Sequence, residues 1–464
     1  MTERNTIEAA ASRTQGRLFA SYGLYGVRQR AEQNKDERFT ALLHHITPLL
    51  LRKSYYQLKH DAAKGIDDQT WYEYYENHHN RIKELHDRVH KGSYRAQPVR
   101  RTYIPKEDGR QRPLGIASLE DKIVQQAVHT VLSQIYETDF ANFSYGFREG
   151  RSQHDALDAL YMGIIKRKIN WILDADIQGY FDNIDHELLM KMIEKRIGDK
   201  RVLRLLRKWL KTGYIEEGKR IRQEVGTPQG AVISPLLANI FLHYVLDAWA
   251  AQWRKITARG DMIIVRYADD FVIGFEYHED ARKFLTELKQ RIEVFKLKLH
   301  PEKTRLIEFG RFANDNRKRR GKGKPETFDF LGFTHICSIN KKGGFFLRRK
   351  TIRKRFKRKC KEIKQELWKR MHESIKTTGE WLGTVITGYT NYYAVPGNMK
   401  IVKSLYTRSI REWIRVLRRR SHKARNLKWK EYRKYVEWLI PRPRLAHPFP
   451  DLRFKALLLK VGAG

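Results

Sequence analysis

Apolar residues recur at helical spacing through Phe39, Leu42, Leu43, Ile46, Leu49 and Leu50, which predicts helix within residues 36–92. Lys64-Gly65-Ile66-Asp67-Asp68 breaks the pattern, and a second helix is expected through Tyr72–Val89. Val99–Ile104 alternates basic and apolar residues, turns at Glu107-Asp108-Gly109 and returns through Arg112–Ile116, the pattern of a hairpin with a basic tip. Leu119–Tyr136 puts Ile123, Ala127, Val131 and Ile135 on one helical face, and Asp155–Lys166 reads as a further helix. Trp171-Ile172-Leu173 opens a short buried strand that ends in Asp174-Ala175-Asp176. Helices are expected over Leu188–Lys211, from Ser234-Pro235 through Trp253, and over Glu279–Phe295. Before the last of these lies DMIIVRYADDFVIGF, Asp261–Phe275, where two β-rich runs flank Tyr267-Ala268-Asp269-Asp270 and predict a hairpin with its tip at the acids. This order of elements predicts an α+β domain with helices packed on one face of an antiparallel sheet.

Beyond it, HPEKTR and FDFLGF sit in Leu297–Phe309 and Thr327–His335, separated by a basic, apolar-poor stretch, Arg311–Lys324, expected to be a mobile loop. Trp368–Tyr393 and Leu405–Leu417 read as helices of a separate helical subdomain. Residues 1–35 are polar and mixed, the pattern of a loosely held arm, and residues 418–464 are basic, with Trp429, Tyr432, Tyr435 and Trp438 interleaved and a Pro-rich stretch at 441–450.

A chain of 464 residues is too long for one core and calls for several subdomains, and 41% hydrophobic residues suffice to pack them. The formal net charge of +40 goes far beyond what solubility requires and points to a polyanionic partner, most naturally nucleic acid. The densest cluster, Lys341–Lys361, holds twelve Lys and Arg and no acid. Two cysteines, Cys337 and Cys360, argue against a disulfide framework or a cysteine-based zinc site. No apolar run is long enough to span a membrane, and the first residues do not read as a secretory signal, so a cytoplasmic protein is expected.

Two adjacent carboxylates on a tight turn repel each other. A divalent cation would relieve this, since Mg²⁺ favours one or two carboxylates plus substrate phosphates; a solvated turn is the plain alternative. If the strand ending at Asp174–Asp176 lies beside the hairpin, three acids meet. Such a group can clamp two metal ions about 3.5–4 Å apart for in-line phosphoryl displacement.

Seven blocks occur in order: RTYIPKEDGRQRPLGI, SYGFREGRSQHDAL, LDADIQGYFDNIDH, GTPQGAVISPLLANIFLH, VRYADDFVIGF, LHPEKTRLIEF and FDFLGF. Together they resemble the ordered blocks of bacterial group II intron reverse transcriptases and maturases, over residues 40–335 and more loosely through GYTNYYAVPGN (Gly388–Asn398) and LIPRPRLAHPFP (Leu439–Pro450). The resemblance implies a right-hand polymerase: an arm at 1–35, fingers at 36–170, a palm at 171–335, a basic linker and helical thumb or maturase region at 336–420, and a basic tail at 421–464. It implies metal binding by Asp176, Asp269 and Asp270 with the carbonyl of Ile177, and two Mg²⁺ ions that Mn²⁺ could replace. Asp174 is the competing ligand, read otherwise as a structural acid. Phe181, five residues after Asp176, matches the family's steric gate, and Tyr267 would support the primer end. Lys106 and Arg112 match triphosphate-binding positions, with template backbone or solvent as the alternative. Gln229 matches a glutamine beside the nucleotide sugar, and Lys303 a lysine that protonates departing pyrophosphate, unless it is an ordinary surface lysine. Arg148 and Arg151 would touch template, or else pair with Glu149 or Asp155.

The implied partners are an RNA template, in particular intron RNA, a DNA primer or target, and dNTPs, with no membrane. Gly230 is followed by Ala231, and Ile116 by Ala117 and Ser118, where the family often has a second glycine and a proline. No Cys/His-rich nuclease module follows the helical region, so second-strand cleavage is not expected. A domesticated enzyme of DNA repair or phage defence, and a non-catalytic RNA-binding splicing factor, are the alternative readings.

Overall fold

The computed structural model describes residues 23–105, 111–221, 225–227, 230–340, 342–420, 425 and 428–453. Its strands are β1 (Val99–Pro105), β2 (Gln111–Ile116), β3 (Trp171–Asp176), β4 (Tyr214–Glu216), β5 (Lys219–Ile221), β6 (Met262–Tyr267), β7 (Asp270–Phe275), β8 (Arg305–Glu308), β9 (Phe328–Phe330), β10 (Phe333–Ile339) and β11 (Phe345–Thr351). They form three sheets: β2-β1-β4-β5, the central β6-β7-β3-β8, and β11-β10-β9. The central sheet is antiparallel throughout, in an α+β fold.

Both faces of the central sheet are covered, which is why its strands read as near-continuous apolar runs rather than strict alternations. Leu173, Ala175, Phe271 and Ile273 point into the largest core, with the helices Ser234–Leu242 and His278–Val294 and the N-terminal helices. Ile172, Val265, Val272 and Ile307 point the other way, against Leu157 and Leu160 of the helix Gln153–Lys166 and against Phe330, Phe333 and Leu347 of the third sheet. Period-two geometry puts Asp174 and Asp176 on this second face as well. A separate core, with Ile363, Leu382, Ile386, Trp413 and Val436, joins the helices Arg353–Lys369, Ile375–Tyr393, Met399–Arg418 and Trp429–Leu439 into a helical unit of their own.

Three local expectations are corrected. Residues 23–33 are helical, with Val27 and Ala31 in the main core rather than in a loose arm. The single helix expected over Leu188–Lys211 is two, His186–Glu194 and Lys200–Lys211. Asp199 starts the second by accepting from the amides of Arg201 and Val202, while its other oxygen takes those of Leu42 and Leu43. Within the expected loop Arg311–Lys324, Ala313–Arg319 is helical. No described helix is long and apolar enough to cross a membrane.

The Pro-rich stretch is a strap. Ala394 of the helical unit accepts from the amides of Ala446 and His447, and the His447 ring stacks on His154 at 3.6 Å. Arg453 reaches Asp155 and Asp158, both at 3.2 Å, on the helix beside the central sheet. Burial and the nearby His447, Arg453 and Arg349 push His154 down to about 3, and burial with Arg349 pushes His335 down to about 3. Both rings are therefore neutral in the fold, while the unfolded chain protonates them near pH 6.5. Their contribution is fully present above about pH 6.5 and is lost progressively towards pH 3. Each histidine should cost about 2 kcal/mol between about pH 7 and 5. Urea unfolding at the two pH values should give a flatter pH dependence for His154→Gln and His335→Gln than for the parent; an equal slope in all three would refute the assignment.

Candidate active site

β6 and β7 close through a two-residue loop, Ala268-Asp269, with Tyr267 opposite Asp270. Ala268 takes the left-handed backbone (φ 57°) that so short a connection needs. β3 lies directly alongside, in a register that sets Asp176 opposite Asp270. The acids of two sequence-distant stretches thus meet at one edge.

A buried cation braces the hairpin tip. Arg266 is fully buried. Its Nε and one terminal nitrogen donate to the two carboxylate oxygens of Asp247 at 2.7 and 2.5 Å. The same guanidinium reaches Asn239 Oδ1 at 3.0 Å, the Ala268 carbonyl at 2.8 Å and Ser144 Oγ at 2.7 Å. Five N–H groups meet five acceptors, the full capacity of arginine. Asn239 and Asp247 are eight residues apart, well out of line on a regular α-helix. The π-helical segment His243–Asp247 widens the turn between them, and both reach the same guanidinium. Asn239 also donates to the Gly146 carbonyl at 2.7 Å, and a Cβ on Gly146 would stand 2.3 Å from the Ala268 amide. Glycine is therefore required at 146 for the loop to lie against the acidic tip. An arginine at an inward position of an apolar strand is the sequence signal for such a pair; its partners could not be read, because they depend on the π turn.

Lys303 stands at the site, its ammonium 2.5 Å from Asp176. Asp174 is paired with Arg305 at 3.2 Å, and Asp176 is the acid facing the hairpin tip. The bridge Ile177↔Leu299 is closed by the Asp176 carbonyl and the Gln178 amide, on either side of Ile177. Phe181 is buried in the 3-10 turn Tyr180–Asp182. Arg112 is exposed on β2, and its charge reaches Asp269. Tyr267 ends β6 and packs half-buried into the second core. Lys106 and Gln229 lie outside the described residues.

Arg148 is a correction. Its buried guanidinium pairs with Glu137 at 2.9 Å and donates to the carbonyls of Ala141 and Ser144, both at 2.8 Å, so it has no reach towards a template. Its partner is neither Glu149 nor Asp155. Arg151 is half-buried and holds Asn142 through the carbonyl at 2.6 Å.

The acids oppose one another's ionisation. Burial, then Asp176, raises Asp269 above the ordinary carboxylate range. Burial, then Asp174, Asp269 and Asp176, raises Asp270 further. Asp174 is pushed up to about 6, chiefly by burial, with Arg305 opposing the shift. Among the described residues no three His, Cys, Asp or Glu side chains form a ready-made metal cage. The donor set nevertheless fits Mg²⁺: it offers carboxylate oxygens alone and leaves positions for substrate phosphates. The Lys303 ammonium on Asp176 stands in for part of that positive charge.

Residues 104–335, half of the chain, match the reverse transcriptase (RNA-dependent DNA polymerase) family. The chain belongs to this family. The reverse transcriptase domain generally works with divalent metal ions. The chain is 40% identical over 234 residues to the group II intron-encoded protein LtrA of Lactococcus lactis, covering 49% of this chain and 38% of that protein. It is 35% identical over 257 residues to protein YkfC of Escherichia coli, covering 48% of this chain and 67% of that protein. A putative COX1/OXI3 intron 2 protein of Saccharomyces cerevisiae is 35% identical over 227 residues, 49% of this chain and 24% of the yeast protein. These likenesses identify the chain as a group II intron-like reverse transcriptase, spanning well under half of LtrA.

Removing one partner of a buried ion pair strands the other. Arg266→Met should cost about 3–5 kcal/mol, and Asp247→Leu about the same, while the double variant should recover much of the loss. Urea unfolding of the four proteins tests this; strictly additive losses would mean that the two side chains do not act as a pair.

Proposed function

We propose that this chain is an RNA-directed DNA polymerase that extends a primer 3′-OH with deoxynucleoside triphosphates on an RNA template, and that it binds intron RNA as a maturase. One observation carries the reading: Asp176 faces Asp270, with Asp269 beside them at the hairpin tip, in a chain of the reverse transcriptase family. Asp176, Asp269 and Asp270, with the Ile177 carbonyl, would hold two Mg²⁺ ions, or Mn²⁺ in their stead. Bound there, the ions supply the Lewis acidity that stabilises the attacking and leaving oxygens of an in-line displacement.

The chain's own groups do the rest. The primer 3′-OH gives up its proton to solvent as its oxygen bonds to the α-phosphorus and the bond to pyrophosphate breaks. Arg112, already close enough to act on Asp269, binds the triphosphate, and Lys106 is the second triphosphate-binding position that the resemblance implies. Lys303, paired with Asp176 at the edge of the site, would give the proton of its ammonium to the departing pyrophosphate. Phe181 lies under the incoming sugar and excludes a 2′-hydroxyl, Gln229 lies beside that sugar, and Tyr267 supports the primer end. Arg151 is the template contact that remains once Arg148 is committed inside the fold.

The maturase part rests on surface chemistry and on the intron-encoded relatives. A groove of about 1290 Å³ between Met399–Arg418 and Trp429–Leu439 is lined by Arg411, Arg415, Arg419 and Arg433, with Trp429 exposed beside them. Guanidinium groups and an open indole suit RNA phosphates and unpaired bases.

Asp269→Asn and Asp270→Asn should each lower primer extension on an RNA template by about three orders of magnitude, the scale of losing a metal's several kcal/mol of transition-state stabilisation. Extension by either variant at the parental rate would sink the polymerase reading. For the maturase part, RNA co-purifying from the host at moderate salt should be dominated by one structured species from the DNA around the coding region. A diffuse mixture, or a short RNA from elsewhere, would favour repair or defence.

A further inference from the structure

Phe147 is an anomaly beside the site. Its backbone is left-handed (φ 57°), an outlier for a bulky residue, and its side chain is half exposed. Neither feature saves energy, and a glycine at this position would have met the same backbone demand without strain. The chain on either side is fixed. Ser144 accepts from Arg266, Gly146 is held by Asn239 against the Ala268 amide, and Arg148 is tied to Glu137, Ala141 and Ser144. Held this way, the loop presents the Phe147 ring edge-on to Phe181, with centroids 6.4 Å apart and planes at 83°. Phe181 is pinned from another direction too. Its carbonyl accepts from the Thr227 amide at 2.8 Å, and a Cβ on Gly226 would come within 2.9 Å of that carbonyl. The backbone of Phe181 is thus set by the turn containing Gly226, and its ring is held between Tyr180, 5.4 Å away in the core, and Phe147 on the open side. Strain that persists where the surroundings over-determine it marks a position with a task.

We infer that Phe147 is a positioning residue for the sugar gate: it fixes the Phe181 ring at the angle that excludes a 2′-hydroxyl, and so sets the discrimination between deoxyribo- and ribonucleotides. This rests on the polymerase reading above.

The test is single-nucleotide extension of a DNA primer on an RNA template with dCTP and with CTP, taking the ratio of kcat/KM values. It uses the full-length parent and the variants Phe147→Ala, Phe147→Gly, Phe147→Tyr, Phe181→Ala and the double alanine variant. Phe147→Ala and Phe147→Gly should each lower the ratio about two- to tenfold, the worth of one edge-on aromatic contact. Phe147→Tyr, which keeps the ring, should restore it, and the double variant should discriminate no worse than Phe181→Ala alone. Phe147→Gly relieves the left-handed strain, so it carries the test even if the alanine protein folds poorly. An unchanged ratio in a parent-like active variant overturns this inference alone, as do independent effects of the two rings. No extension by the parent overturns the polymerase reading and this inference with it.

Discussion

The buried guanidinium of Arg266 is the constraint on which the rest of the site depends. A charge with no access to water is tolerable only when every donor is matched, so its five acceptors must be at their stations together. Those acceptors belong to the loop at Ser144, the helix at Asn239, the π segment at Asp247 and the hairpin tip at Ala268. Satisfying one side chain therefore fixes four pieces of chain around the two hairpin aspartates. The π segment is part of the same economy, since it lets Asp247 and Asn239 serve one fork.

Above this neutralised base the site is left deliberately unbalanced. Asp174, Asp176, Asp269 and Asp270 crowd one edge, and two cations paired with them, Lys303 and Arg305, are exposed. Arginine and lysine at the rim can swing away; the arginine beneath cannot. The arrangement keeps the acids assembled without permanently discharging them.

The large positive charge divides in two. Arg148, Arg196, Arg266 and Arg349 are buried and paired with Glu137, Asp139, Asp247 and Asp158. They are structural, and Arg349 shows that even the acid-free cluster Lys341–Lys361 spends one of its cations inward. The groove of the helical unit keeps its guanidinium groups on the surface. The strap through His447 and Arg453 ties that unit to the helix beside the central sheet, so the groove and the acidic edge share one frame.

The sequence by itself determined the elements whose signals are local. The hairpin, the helix Leu119–Asp139, the α+β order and the separate helical unit all follow from periodicity and turn chemistry, because those act over a few residues. It also singled out the three acids and Phe181 as candidates, through blocks whose order is specific even where each block is weak. Tertiary structure alone decided the long-range pairings. That Asp176 faces Asp270, that Asp247 reaches Arg266 across a π turn, that Arg148 turns inward to Glu137, and that the Pro-rich stretch is a strap all depend on which distant surfaces pack together. The physical reason is the same in each case. A buried charge or a strained aromatic is worth its cost only through partners far along the chain, and nothing in the neighbouring residues records where those partners lie.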